Sequence, residues 1–273
     1  MTKGSINHAI SKDGTKIGFF TSGEGPPLLL VHGGLGDHSR WDALRPHLEP
    51  HRSIHAMDRR GRGISGDHPN YDIVREFEDV TAVIDAIAKD SDYPVDIYAH
   101  SAGGIYTVGA SKSTSNIRSI TIYEGWDWLN PEDKVPPQTV LEQMDKLIAK
   151  GNREGACELL FREVIGVEEN EMEEVRTLPS WPGRVAIVHT VSREVLSFLE
   201  SGFNPQQYGS ILVPMMLMVG AESPENWKSD AESFASTLPD VRIEILDGQG
   251  HSADMLAPAL VTEKLLSFLN DLN

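Results

Sequence analysis

Ala99-His100-Ser101-Ala102-Gly103 decides the reading of this chain. An apolar run, Val95-Asp96-Ile97-Tyr98, precedes it, and a segment of small residues, Gly104 to Ala110, follows. That order is strand, tight turn, helix, with a serine at the apex. Such a serine stands on a strained bend that pushes its hydroxyl out of the sheet. The helix behind it points free N–H groups at whatever the oxygen attacks. Small residues must flank the serine, because the bend brings neighbouring backbone close. Ala99 stands where such an elbow usually carries glycine.

The same alternation extends outward in both directions. Strands are expected at Lys16–Thr21, Leu28–Val31, Ser53–Met57, Val95–Tyr98 and Ile117–Tyr123, with helices at Trp41–Leu48, Ile73–Ala88 and Ala102–Ser111. This β-α rhythm predicts a mostly parallel sheet with helices on both faces. Right-handed crossovers put the strand C-terminal ends along one edge, where ligands bind. From about Pro131 to Tyr208 the pattern is helical only: Val140–Lys150, Glu154–Ile165, Glu169–Thr177 and Arg184–Phe198 space apolar residues at three and four, interrupted by Pro179-Ser180-Trp181-Pro182. The rhythm then returns with a strand at Ile211–Val219, a helix at Trp227–Leu238, a strand at Val241–Leu246 and a helix at Leu256–Leu269. The expected organisation is an α/β core over residues 1–129 and 210–273, with a helical cap inserted at 130–209 above the active edge.

Composition narrows the function. The chain has 273 residues and a net charge of −17, from 24 basic and 41 acidic residues. Nucleic acid and anionic membrane surfaces require clustered positive charge, so neither is an expected partner. Cys157 is the one cysteine, so no intrachain disulfide forms, which fits a reducing cytoplasm. The start, from Met1 to His8, lacks an apolar stretch of signal-peptide length, and the longest apolar runs are too short to span a bilayer. The expectation is a cytoplasmic protein acting on a small molecule; the oligomeric state is not legible.

A serine hydroxyl is a poor nucleophile at neutral pH and needs a base, a group that orients the base, and N–H donors for the oxyanion. The expected base is His251, in the glycine-bearing loop Leu246-Asp247-Gly248-Gln249-Gly250-His251 after the last strand. The expected donors are the N–H groups of Gly34, with Leu35 as alternative, in His32-Gly33-Gly34-Leu35-Gly36, and of Ala102 beside the serine. Glycines let backbone N–H groups approach a substrate oxygen closely. His32 reads as a residue tying loops together. Asp58-Arg59-Arg60-Gly61-Arg62-Gly63-Ile64-Ser65 reads as structural, its arginines paired to loop carboxylates or carbonyls.

The order of His-Gly-Gly loop, Asp-Arg-Arg-Gly-Arg-Gly loop, serine elbow, helical insertion and late Gly-His resembles the α/β-hydrolase superfamily over about residues 6–270. The resemblance implies an eight-stranded sheet whose first strands are antiparallel, and a Ser–acid–His triad. The serine elbow argues against haloalkane dehalogenase and epoxide hydrolase chemistry, which in this superfamily use aspartate there. The family usually carries its acid after the seventh strand, three residues past a glycine. Here the glycine is Gly220 and that place holds Ser223, with Glu222 one residue early. The family's other location, the end of the sixth strand, holds Glu124. Glu124 is the expected acid, with Glu222 the alternative and the absence of an acid a third case.

Trp126, Trp128 and Trp181 either wall an apolar substrate pocket or pack the cap on the core, and Phe203 and Tyr208 fall at the cap's exit. The expected activity is serine hydrolysis of a small or medium apolar ester, thioester or lactone through an acyl-enzyme on Ser101, with no metal and no organic cofactor. One alternative is C–C hydrolysis, perhydrolysis or cofactor-free lyase chemistry on the same site. Another is a non-catalytic small-ligand receptor.

Overall fold

A computed structural model describes residues 4–125, 136–202 and 204–272. Eight strands form one sheet: β1 (Ser5–Ile10), β2 (Lys16–Ser22), β3 (Pro27–Val31), β4 (Ser53–Met57), β5 (Val95–His100), β6 (Ile117–Tyr123), β7 (Met215–Gly220) and β8 (Val241–Leu246). Their spatial order is β1-β2-β4-β3-β5-β6-β7-β8. β2 pairs antiparallel with both β1 and β4, and all other pairs are parallel. β3, β5 and β7 are buried along their whole length; β3 and β7 therefore read as continuous apolar runs, while in β5 the buried Asp96 interrupts the run and is paired with Arg52 and Arg118. β1 lies at an edge and is mostly exposed, so its sequence carried no strand pattern.

The chain divides into two compact units. The first comprises Met1–Pro69, Val74–Leu129 and Asn204–Asn273, and the second Asn70–Ile73 and Asn130–Phe203. In the first, the helices are α1 (Arg45–Leu48), α2 (Ile73–Ser91), α3 (Ala102–Ala110), α9 (Glu225–Ala235), α10 (Ala253–Leu256) and α11 (Pro258–Asp271). Its core on one sheet face gathers Leu28, Leu30, Tyr98, Tyr123, Met216 and Met218 against Trp41, Leu48, Leu265 and Phe268. The second unit holds α4 (Gln138–Ala149), α5 (Arg153–Leu160), α6 (Met172–Thr177), α7 (Trp181–Ile187) and α8 (Val191–Ser201), with no strand among its described residues.

Prolines account for most differences from the expected boundaries. The strand expected at Ile211–Val219 begins only at Met215, because Pro214 has no N–H for a ladder and Leu212 is exposed. The helix expected at Leu256–Leu269 is two: Ala257, before Pro258, takes φ −135° and ψ 52°. Trp41–Leu48 splits into a 3-10 turn at His38–Asp42 and a short helix with Pro46 in its first turn. Pro182 starts α7 rather than interrupting a helix, since its missing N–H falls where no bond is made.

Candidate active site

The candidate site is built from residues past the ends of six strands, β3 to β8. Ser101 follows β5 with φ 52° and ψ −134°, a strained conformation for any L-residue. The bend is fixed by two backbone bonds: Ser101 N–H donates to Tyr123 O at 2.9 Å, and Gly104 N–H to Ser101 O at 2.8 Å. Gly103 is obligatory, because a Cβ there would stand 2.4 Å from Val31 O. Ala99 is fully buried within β5, paired with Val31 and Ile122, so its methyl is accommodated inside the sheet. Ala102 is the first residue of α3, so its N–H belongs to the helix turn that lacks internal acceptors.

The loop after β3 runs beside the serine. A Cβ on Gly33 would lie 2.7 Å from Ser101 Cβ and 3.2 Å from its Oγ. Gly34 is exposed, with open space around its Cα, and Leu35 adopts φ 49°. His32 holds the loop from below: it is fully buried, with Nδ1 2.8 Å from Gly33 O, and its Nε2 accepts from Arg59 N–H at 3.2 Å. Burial and the Arg62 and Arg59 guanidiniums hold His32 well below the usual imidazole pKa, so it stays neutral.

The arginine loop is paired throughout, chiefly to a helix rather than to loops. Arg59 forks onto Glu76 of α2 at 3.0 and 2.9 Å, donates to Gly33 O at 3.0 Å and stacks over Tyr106. Arg60 forks onto Asp79 of α2, both bonds 2.7 Å. Arg62 donates to Gly36 O at 3.3 Å.

Glu124 and His251 come together. Glu124, fully buried just past β6 with φ 50°, presents Oε2 to His251 Nδ1 at 2.7 Å. Its other oxygen, Oε1, accepts from Gly220 N–H at 2.7 Å and from the Ser223 hydroxyl at 2.5 Å. Glu222, the alternative acid, is exposed, and its own N–H donates to Gln249 O at 2.8 Å. The place three residues past Gly220 is therefore a hydroxyl that bonds the carboxylate at the end of β6.

Several residues that sequence reasoning missed hold the His251 loop. The Tyr123 hydroxyl donates to Gly250 O. His100 Nε2 lies 2.8 Å from His251 O, and the two imidazoles pack with centroids 4.4 Å apart. Burial and the Arg40 charge keep His100 well below the usual imidazole pKa. Arg40 forks onto Asp254 at 2.8 and 2.9 Å. Trp227 meets the His251 ring edge-on, with centroids 5.0 Å apart. His100, the unspecified second position of the elbow, and Tyr123, the residue before Glu124, were adjacent to a sequence signal.

The pocket residues divide differently. Trp181 is 5% exposed and packs edge-on against Phe161 inside the second unit, its Nε1 3.4 Å from Glu154 Oε1. Its ring is thus committed to internal packing. Tyr208 is buried in the first unit under the Lys112 ammonium. Trp126, Trp128 and Phe203 lie outside the described residues.

Asp37, His38 and Asp58 bring three ligand atoms close enough for a cation. Asp58 is already used by the His38 N–H at 2.6 Å, the Ile64 N–H at 2.7 Å and the His38 ring. This cluster is a loop staple. Among the described residues no helix is long and apolar enough to cross a membrane.

Comparison with known proteins agrees with this architecture. Among solved structures, an α/β hydrolase from Sphaerobacter thermophilus is 31% identical, covering 96% of this chain and all of that one, with a TM-score of 0.81. A thermophilic esterase from Thermogutta terrifontis shares the fold at 18% identity and a TM-score of 0.76, covering 98% and 99% of the two chains. A curated (E)-2-((N-methylformamido)methylene)succinate hydrolase from Acinetobacter baylyi is 20% identical over 92% of this chain and 93% of its own length. With the alpha/beta hydrolase family model matching residues 28–264, this chain belongs to the alpha/beta hydrolase family.

Proposed function

We propose that this chain is a serine hydrolase acting on small or medium apolar carboxylic esters, thioesters or lactones. One observation carries the reading: a fully buried carboxylate lies 2.7 Å from the Nδ1 of a loop histidine, in the unit that bends Ser101 to φ 52°. In this reading Glu124 accepts a hydrogen bond from Nδ1–H, which keeps the proton on Nδ1 and leaves Nε2 of His251 as the base. Ser101 Oγ gives its proton to Nε2 and bonds to the carbonyl carbon. The N–H groups of Gly34 and Ala102 receive the oxyanion; losing one such donor typically costs about 3 kcal/mol of transition-state stabilisation. The imidazolium then protonates the leaving oxygen or sulfur. Water, deprotonated by His251, attacks the acyl-Ser101 carbonyl and releases the acid. No step needs a metal or organic cofactor. The helical unit is read as the cap that selects substrate size.

A second reading keeps the same residues for another bond, such as C–C hydrolysis, perhydrolysis or lyase chemistry. The Acinetobacter baylyi hydrolase, similar over nearly the whole chain, is named for an N-methylformamido-methylene succinate rather than a simple ester, and so keeps open a bond other than an ester. Parallel assays with p-nitrophenyl acetate to octanoate, a γ-lactone and a vinylogous diketone separate the two. Ester or lactone turnover abolished by Ser101→Ala is the expected result. Diketone turnover with none of the esters cleaved selects the second reading. Tight binding without any product indicates a receptor.

A further inference from the structure

We infer that Ser223 is a positioning residue for the Glu124 carboxylate: its hydroxyl and the Gly220 N–H, both from the end of β7, fix one carboxylate oxygen so that the other faces His251. The inference rests on the hydrolase reading above and assigns the seventh strand's end a donor role in place of an acidic one.

Glutamate has one more rotatable bond than aspartate, so its carboxylate needs more restraint to hold one direction. Glu124 leaves β6 in a left-handed turn, at φ 50°, and is wholly enclosed. Its Oε1 receives two donors, Gly220 N–H at 2.7 Å and Ser223 Oγ at 2.5 Å, and Oε2 receives the third, His251 Nδ1, at 2.7 Å. With one donor on Oε1 the group can swing about that bond. With two it is fixed, and the Oε2–Nδ1 contact inherits the direction. The hydroxyl is itself set by a turn at the end of β7, in which Ser223 N–H donates to Gly220 O at 3.2 Å. A carboxylate at the half-buried position 223 would stand against the fully buried Glu124, and the like charges would disfavour each other. Serine supplies a proton there without that conflict.

The test compares wild type with Ser223→Ala, Ser223→Thr and Ser223→Asp in the full chain. Steady-state ester hydrolysis gives kcat and KM. Proton NMR of the substrate-free protein follows the His251 Nδ1–H resonance and needs no turnover. Ser223→Ala is expected to lower kcat roughly tenfold to a hundredfold, the size of one hydrogen bond to a charged group, with KM within about twofold. The Nδ1–H resonance should broaden or vanish. Ser223→Thr should restore both, and Ser223→Asp should lose more activity than Ser223→Ala. The inference is overturned if Ser223→Ala keeps wild-type kcat and a sharp resonance. It is equally overturned if Ser223→Thr, folded by its melting curve, rescues neither. A wild type that cleaves no ester refutes the hydrolase reading, while the resonance still decides the role of Ser223.

Discussion

Glu124→Gln is the perturbation whose outcome the geometry fixes most tightly. The wild-type carboxylate is fully buried and accepts from three donors, Gly220 N–H, Ser223 Oγ and His251 Nδ1. Glutamine has the same shape but only one acceptor oxygen. If its NH2 faced Gly220, two donors would oppose each other and a buried N–H would lose its partner, at a cost of about 1–3 kcal/mol. The oxygen therefore takes the Gly220 side, and the NH2 faces His251. Nδ1 must then accept, and the ring proton moves to Nε2, the nitrogen proposed to take the Ser101 proton. Holding the base in the wrong tautomer costs about 10⁴-fold in kcat in the serine protease triad, where it was measured. That is about 5 kcal/mol of barrier. We expect a loss of about 10³- to 10⁴-fold in kcat on p-nitrophenyl butyrate with KM nearly unchanged, and a melting temperature close to wild type. Activity within tenfold of wild type would refute the reasoning.

Other perturbations test separate parts. Glu222→Gln alters an exposed side chain and should leave kcat/KM within about twofold; a large loss would return the acid to β7. Gly33→Ala places a Cβ 2.7 Å from Ser101 Cβ, closer than carbon atoms approach, so the serine or its loop must move. We expect at least a hundredfold loss of kcat for Gly33→Ala and little for Gly34→Ala, which meets open space, both read by ester hydrolysis. Burial, together with the neighbouring arginines, depresses the pKa of His32 and His100 in the folded state, so the unfolded chain alone takes up these protons as pH falls through about 6.5. Stability is then full above that pH and falls below it, with a slope approaching about 1.4 kcal/mol per pH unit for each histidine. Urea unfolding from pH 5 to 7 should show the slope, and His100→Gln should flatten it; identical slopes would contradict the assignment.

The sequence made local features legible and left long-range pairings open. Ser101 was readable because strand, bend and helix occupy adjacent residues, and Gly103 keeps the bend tight for a reason visible in its neighbours. The place of His251 in the loop past the last strand was readable from the glycines before it. The carboxylate that meets His251 was divided between two strand ends because the contact joins positions 127 residues apart, and either strand end can reach an imidazole. The geometry links the two candidates' strands: Ser223 bonds the carboxylate of Glu124. Arg40 and Asp254, 214 residues apart, gave no signal, since each alone reads as an ordinary charged surface residue. The arginines of the 58–65 loop were readable as paired, and Gly33 O and Gly36 O are loop carbonyls as expected, but the carboxylates Glu76 and Asp79 sit on α2, a helix whose register alone does not show which carboxylates turn inward. Prolines marked boundaries correctly only where their missing N–H was weighed against the element, as Pro214 and Pro258 show.

The central claim is that Ser101 becomes an attacking oxygen. Incubation with a fluorophosphonate, followed by intact mass and peptide mapping, tests it most directly. We expect one adduct per chain, on Ser101, formed at least a hundredfold more slowly in His251→Ala. An unmodified chain, or an adduct on another residue while Ser101 stays free, would contradict the account.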